Sequence, residues 1–288
     1  MARDRKAAAY EQRIKLARFA AGAARWPVAA AQSGMARTGL ASAAWRRAIS
    51  ELVFPRACVH CLAELNADEA GAAESRFCSA CYEQFEFLAE PVCRRCGGPL
   101  PRLSKPAVEG GCFRCGGRKM WFDETVAAGL YAGLLRELVL QMKRAEGDSL
   151  SLAMGELLWR QCGARLRALE ADVVVPIPLH WRRRMAHRTN SAAVLAEVVA
   201  GRLGVPLAEG LLRRRRHTPR QSELTPPRRW ENVRQAFSVR AGYYLKQAHV
   251  LLVDDILTTG ATCSEAAHTL RSAGAERVTV VVAARAIG

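Results

Sequence analysis

The sequence predicts an α/β protein, a parallel sheet flanked by helices with a small cysteine-rich module in front of it, and three observations predict it. Near the C-terminal end, four branched apolar residues, Val250-Leu251-Leu252-Val253, lead into Asp254 and Asp255 and then into Thr258-Thr259-Gly260-Ala261-Thr262. An unbroken apolar run of this kind marks a strand buried on both faces of a parallel sheet. A second such run, Asp172-Val173-Val174-Val175-Pro176-Ile177-Pro178, lies upstream with helical spacing before and after it. Eight of the ten cysteines stand as four Cys-x-x-Cys pairs ahead of all this.

With 288 residues, half of them hydrophobic, the chain can bury one sizeable α/β core and a smaller module. The formal charge of +16 points to anionic partners, phosphorylated small molecules or nucleic acid. No apolar run approaches the roughly 18 residues of a membrane span, and the N-terminus lacks the apolar core of a secretory signal, so a cytoplasmic protein is expected. The expected organisation is an Ala/Arg-rich extension over 1–43, disordered or loosely helical, a zinc-binding module over 44–120 and the α/β domain over 121–288.

Taken in order, Ala44 to Phe54 has amphipathic helical spacing stopped by Pro55. The cysteine pairs follow: Cys58/Cys61, Cys78/Cys81, Cys93/Cys96 and Cys112/Cys115. Sixteen residues separate the first pair from the second and fifteen the third from the fourth. Both gaps suit a four-cysteine zinc site, in which two knuckles complete a tetrahedron with no position left for water. Such sites are structural, and their loss should unfold the module and spare the C-terminal domain. A disulfide framework would need an oxidising compartment that nothing else in the chain supports. Spacing favours sequential pairing but also permits a crossed one, first pair with third. Cys162 and Cys263 stand alone and read as buried thiols.

From Thr125 to Tyr131 a strand is expected, then helices from Leu134 to Met142 and from about Ser149 to Leu169. The buried strand at Asp172–Pro178 ends in a basic loop, Leu179 to Arg188, and a helix follows from about Ser191 to Leu203. Arg213 to Arg234 is a second basic, proline-bearing stretch, too polar and broken for core. Val250–Val253 and Arg277–Ala283 supply the last two strands, with a helix starting near Cys263.

The stretch from Thr258 to Thr262 can wrap a phosphate with backbone N–H groups and hydroxyls, with the positive end of the following helix behind it. Asp254 and Asp255 would repel that phosphate, so they face ribose hydroxyls, a metal ion, or both. The bland alternative is a strand whose acids and threonines merely cap the next helix. No Gly-x-x-x-x-Gly-Lys-Ser/Thr occurs, which excludes a P-loop.

An acid pair after a strand, followed by Thr-Thr-Gly-x-Thr, resembles the signature of type I phosphoribosyltransferases, which bind phosphoribosyl pyrophosphate (PRPP). The resemblance implies contacts from Thr258, Thr259, Gly260, Ala261 and Thr262 to the 5′-phosphate, with Asp254 and Asp255 on the ribose hydroxyls, and magnesium accompanying PRPP. Pro176-Ile177-Pro178-Leu179-His180 followed by arginines, Thr218-Pro219-Arg220-Gln221, Asn232-Val233-Arg234 and Ala236-Phe237 sharpen this, and with the cysteine pairs they resemble the ComF family of competence-associated phosphoribosyltransferase-like proteins. The likeness covers roughly Leu52 to the end. Where that family commonly carries Arg-Gly-Phe-Asn-Gln, this chain has His187-Arg188-Thr189-Asn190-Ser191 and keeps only the asparagine. A PRPP site needs a second anion cradle, for which Arg182, Arg183, Arg184 and Asn190 are the candidates, and a hood, for which Arg220, Gln221, Asn232 and Arg234 are.

Two functions follow from the resemblance. One is a phosphoribosyltransferase that displaces pyrophosphate from PRPP; the other is a PRPP- or nucleotide-sensing module that engages single-stranded DNA, and DNA-uptake proteins, through its zinc knuckles and arginines. No segment announces a pocket for an acceptor, and the aromatics suited to stacking on bases, Trp121, Phe122, Trp181 and Trp230, could equally be core.

Overall fold

The computed structural model describes residues 56–65, 76–101, 111–116, 119–144, 147–179, 190–216 and 225–287. The expected helix at 44–54 and the extension before it lie outside these residues.

Four strands form the central sheet in the order β1 (Glu124–Leu130), β6 (Arg277–Arg285), β5 (His249–Leu257) and β2 (Val173–Pro176), all parallel. Strands buried on both faces have no use for alternation, which is why Val278 to Ala284 are nearly all inaccessible to water. On one face pack α2 (Gly133–Gln141), α3 (Asp148–Ala168) and α4 (Ser191–Leu203), whose Leu138, Leu158 and Leu195 meet Leu251, Val253 and Val281. On the other lies α6 (Ala261–Ser272), whose Cys263, Ala267 and Leu270 meet Val250, Leu252 and Val280. Helix α4 runs over the span expected for it and ends at Gly204, which takes the left-handed conformation (φ 70°) of a helix stop.

The described parts of the basic stretch, expected to be too polar and broken for core, carry regular structure. β3 (Leu212–Arg214) pairs antiparallel with β4 (Phe237–Val239), and α5 (Pro226–Val233) lies between them in sequence, with Pro at its first turn. Its polarity hid a thin apolar seam. Leu211, Leu212, Val233, Ala236 and Phe237 are all buried, and most of them join the α6 face of the core.

The N-terminal module is fused to the sheet rather than tethered. Cys58, Leu65, Phe77, Cys78, Cys81 and Phe85 share one core with Leu135, Leu158 and Val126, and α1 (Ser79–Tyr82) reaches α3 through a hydrogen bond of Gln161 to the Tyr82 hydroxyl. Residues 86–88 then cover the open edge of β1: Leu88 N donates to Ala128 O at 3.2 Å and Leu130 N to Glu86 O at 2.8 Å. The approach is so close that a Cβ on Gly129 would stand 2.8 Å from the Glu86 carbonyl oxygen, and only glycine fits.

Candidate functional site

Open parallel sheets bind ligands outside the carboxyl ends of their strands. β5 is longer than the sequence suggested: Asp254 and Asp255 are its sixth and seventh residues, within the strand rather than after it. Consecutive strand residues point to opposite faces, and the acid pair diverges accordingly. Asp254 turns toward α6, where the Cys263 thiol donates to its Oδ2 at 3.8 Å, and its Oδ1 accepts from the Asp255 N–H at 2.9 Å. Asp255 turns toward the other face, where Lys143 Nζ lies 2.9 Å from its Oδ2. Burial, and the charge of Asp255 beside it, push the Asp254 carboxyl up to about 8.

The loop after β5, expected to cradle an anion, turns tightly into α6. Gly260 sits at φ 81° as the N-cap of α6, Ser264 N donates to its carbonyl at 2.8 Å, and Thr259 Oγ1 accepts from Ala261 N at 3.4 Å. A Cβ on Gly260 would meet the Phe122 and Met120 side chains at ordinary contact distances of 3.5 and 3.6 Å. Its left-handed backbone, rather than protein packing, therefore demands glycine. The helix therefore begins at Ala261, two residues before Cys263, and its positive end backs the loop from Thr258 to Thr262.

Arg285, at the end of β6, underpins this loop. Its Nη1 donates to the carbonyls of Leu257 at 3.0 Å, Thr258 at 2.8 Å and Ala286, and its Nε donates to Cys96 O at 2.6 Å. One buried guanidinium thus joins the cradle to a cysteine knuckle. Sequence reasoning missed it, though a charge closing an otherwise apolar strand was the available signal. Lys143 was missed as well, because a lysine in a basic inter-helix turn looks like any solvated charge.

The other candidates separate. Asn190 holds the entry of α4, but its Nδ2 donates to Ile177 O at 3.0 Å, tying the exit of β2 to that helix. Asn232 is half-buried on α5, and the Arg234 carbonyl accepts from Arg216 Nη1 at 2.6 Å. Arg182, Arg183, Arg184, Arg220, Gln221 and Trp181 lie outside the described residues. Phe122 is core, and Trp121 is clamped to α6, its N–H donating to Ser264 Oγ at 3.1 Å and its carbonyl accepting from Arg271 Nε at 2.8 Å.

The cysteines group as Cys58, Cys61, Cys78, Cys81 and as Cys93, Cys96, Cys112, Cys115, which settles the sequential pairing. Sulfur–sulfur distances of 3.6 Å (Cys61–Cys78), 3.8 Å (Cys93–Cys115), 3.7 Å (Cys96–Cys112) and 3.8 Å (Cys112–Cys115) are far beyond a disulfide. They match the edge of about 3.8 Å that a tetrahedron with zinc–sulfur bonds of ~2.3 Å requires. Against the cost of burial, backbone N–H groups lower the Cys58 and Cys112 thiols to about 7, whereas burial and neighbouring sulfurs push Cys81 and Cys115 up. Four thiolates at such spacing repel, and a dication at the centre resolves the conflict. The residues fit zinc at both centres.

Residues 189–287 match the family model of the phosphoribosyl transferase domain, and residues 49–118 that of the double zinc ribbon domain. Competence protein F of Haemophilus influenzae is 27% identical over 233 residues, 80% of this chain and 96% of the relative. DNA utilization protein YhgH of Salmonella typhimurium is 30% identical over 192 residues, 66% of this chain and 82% of its own length. Among solved structures, the allosteric regulatory enzyme of purine biosynthesis aligns over 51% of this chain and 30% of its own at 26% identity, with a TM-score of 0.35. No helix among the described residues is long and apolar enough to cross a membrane. With a phosphoribosyltransferase domain behind a double zinc ribbon, and with these competence and DNA-utilization relatives, the chain belongs to the ComF family.

Proposed function

We propose that the chain binds PRPP with magnesium at the carboxyl end of β5 and transfers its ribose 5-phosphate to an acceptor, releasing pyrophosphate. The observation that carries this is the juxtaposition of the Thr258–Thr262 cradle, at the N-terminus of α6, with the Asp254–Asp255 pair one turn of chain earlier. The cradle would hold the 5′-phosphate and the carboxylates the 2′- and 3′-hydroxyls. In the displacement, the C1–oxygen bond breaks, its electron pair leaves with pyrophosphate, and the acceptor bonds to C1. Magnesium, held by carboxylate and phosphate oxygens, would neutralise charge growing on the leaving group. The ribbon β3–β4 with α5, bearing Asn232 and Arg234, is the framework of a hood that excludes water from the cationic ribose centre; Arg182, Arg183, Arg184, Arg220 and Gln221 are assigned to the pyrophosphate side and the hood on the family resemblance.

Asp255→Asn and Asp254→Asn should each weaken PRPP binding by about ten- to a hundredfold, since a charge-assisted hydrogen bond is worth roughly 1.5 to 3 kcal/mol. Stability should not fall in parallel. Ionising Asp254 opposes folding, because its folded-state value lies above the ordinary carboxylate range, so that contribution to stability is lost as pH rises toward about 8. Asn at 254 removes this penalty. By the same sign, a ligand that selects the ionised pair releases a proton, and wild-type affinity should climb as pH passes through about 8. Calorimetry on either side of that pH, with melting curves on the same variants, checks both; lost affinity accompanied by a matching loss of melting temperature would leave the acids a structural turn.

A second function is favoured by one exposed feature. Phe113, at the tip of the last knuckle, is 74% exposed with the Arg114 guanidinium 5.0 Å from its ring centre. An aromatic face beside a cation, on a zinc knuckle, suits the stacked bases of single-stranded DNA. Phe113→Ala should weaken binding of a short oligonucleotide about tenfold, and affinity should fall steeply with salt. An affinity indifferent to both changes would rule this surface out.

A further inference from the structure

We propose that Lys143 is a diphosphate-binding residue of this site: it holds Asp255 while the ribose position is empty and turns its ammonium to the diphosphate of PRPP once the ligand's hydroxyls occupy the carboxylate. This rests on the PRPP site described above.

The backbone beside Lys143 is anchored while its side chain reaches into solvent. Met142 is 1% exposed and its carbonyl accepts from Ser191 Oγ at 3.1 Å. A Cβ on Gly147 would stand 2.2 Å from that same carbonyl oxygen, so Gly147 closes on Met142 where only glycine fits. The Lys143 side chain, in contrast, leaves 46% of its surface open to water. A fixed Cα with a free four-carbon stem can swing its charge over several ångströms.

The direction of that swing is set by what anchors the turn. Ser191 is the first residue of α4, immediately after Asn190 and the basic loop that leaves β2. Lys143 therefore approaches the acid pair from the side of Asn190 and the exit of β2, on the face of the sheet opposite α6. A ligand whose 5′-phosphate lies in the cradle and whose ribose lies at the acids must extend its other end toward Lys143.

Charge points the same way. Burial works against the Lys143 ammonium, but Asp255 in contact and Asp254 beyond it hold it above its ordinary value, so it stays charged. Two carboxylates would repel a diphosphate arriving beside them, and a lysine is a compact cation suited to phosphate oxygens. The rival role is a half-exposed ion pair that contributes little.

The two roles part on a pair of ligands. Ribose 5-phosphate carries the phosphate and hydroxyls but no diphosphate. Calorimetry with PRPP plus magnesium and with ribose 5-phosphate would be run on wild type, Lys143→Met and Lys143→Gln, each with a melting curve so that one folded neutral variant suffices. Expected is a loss of at least about tenfold for PRPP with ribose 5-phosphate changed less than about twofold. An equal loss for both ligands, or unchanged PRPP affinity, would overturn the role of Lys143 and leave the site standing. Wild type that binds neither ligand would overturn the site itself, and Lys143 with it.

Discussion

Removing zinc is expected to unfold the N-terminal module and to weaken the parallel sheet with it. Structural zinc in small domains contributes apparent free energies of about 10–16 kcal/mol, comparable with or larger than the whole stability of a typical domain. The sequence alone suggested that the C-terminal domain would survive this. The fold gives a different expectation, because Cys58, Phe77 and Phe85 pack in one core with Leu135 and Leu158, and residues 86–88 close the β1 edge. Thr125 Oγ1 of β1 also donates to the Arg95 carbonyl at 2.7 Å inside the third knuckle, part of the second cysteine cluster. Purified protein should hold about two zinc ions per chain, and Cys58→Ser or Cys93→Ser should each lose one. Hydrogen exchange should then quicken in β1 as well as in the ribbon. A metal-free chain with an unaltered melting curve would defeat this.

The second large effect is expected at Glu124. It is 3% exposed at the start of β1 and accepts from Arg94 Nε at 3.0 Å, Arg165 Nη2 at 2.8 Å and Arg277 Nη2 at 2.8 Å. Burial alone would raise its pKa, but Arg165 and Arg94 outweigh burial and hold the carboxyl below its ordinary value. Glu124→Gln leaves these arginines facing one another without a counter-charge. Breaking a buried ion pair costs about 3–5 kcal/mol, and since two of the arginines are about a third exposed we expect the lower end, about 3 kcal/mol. That corresponds to a fall of roughly 6–12 °C in melting temperature. The sign with pH is fixed by the depressed value: the stabilisation is present above the unfolded carboxylate range and is lost as acid protonates the folded state. Wild type should therefore lose more stability between neutral and acid pH than Glu124→Gln does. Equal slopes would place the charge of Glu124 outside the stability of the fold.

The parts legible in the sequence were those where one local signal decides the outcome. Val250–Val253 needs both faces buried, Ser191–Leu203 ends in a glycine stop, and Cys-x-x-Cys pairs carry their own geometry. The parts that were not legible depend on partners distant in sequence. Arg213 to Arg234 read as too polar and broken for core because the apolar residues buried around it, Leu212, Val233, Ala236 and Phe237, stand at its end and on its flanks, where the pairing of β3 with β4 gathers them. The acid pair was placed after the strand because carboxylates rarely end a buried run, whereas β5 continues through them to Leu257. Lys143 reaches Asp255 across 112 residues of chain, and Arg285 reaches Thr258 across 27 and Cys96 across 189, and no spacing rule spans such distances.

Arg285 has one more consequence. Its guanidinium is shared between the backbone of Cys96, in the second cysteine cluster, and the backbone of Leu257 and Thr258, where β5 turns into the loop proposed to hold an anion. If the proposed site binds an anion and its binding changes the hold of this guanidinium on both backbones, linkage would be reciprocal: the factor by which anion binding tightened zinc would equal the factor by which zinc tightened the anion. The ribbon is thus less a separate ornament than a floor beneath the turn that follows β5, and losing the second metal centre would be felt at that turn through one side chain.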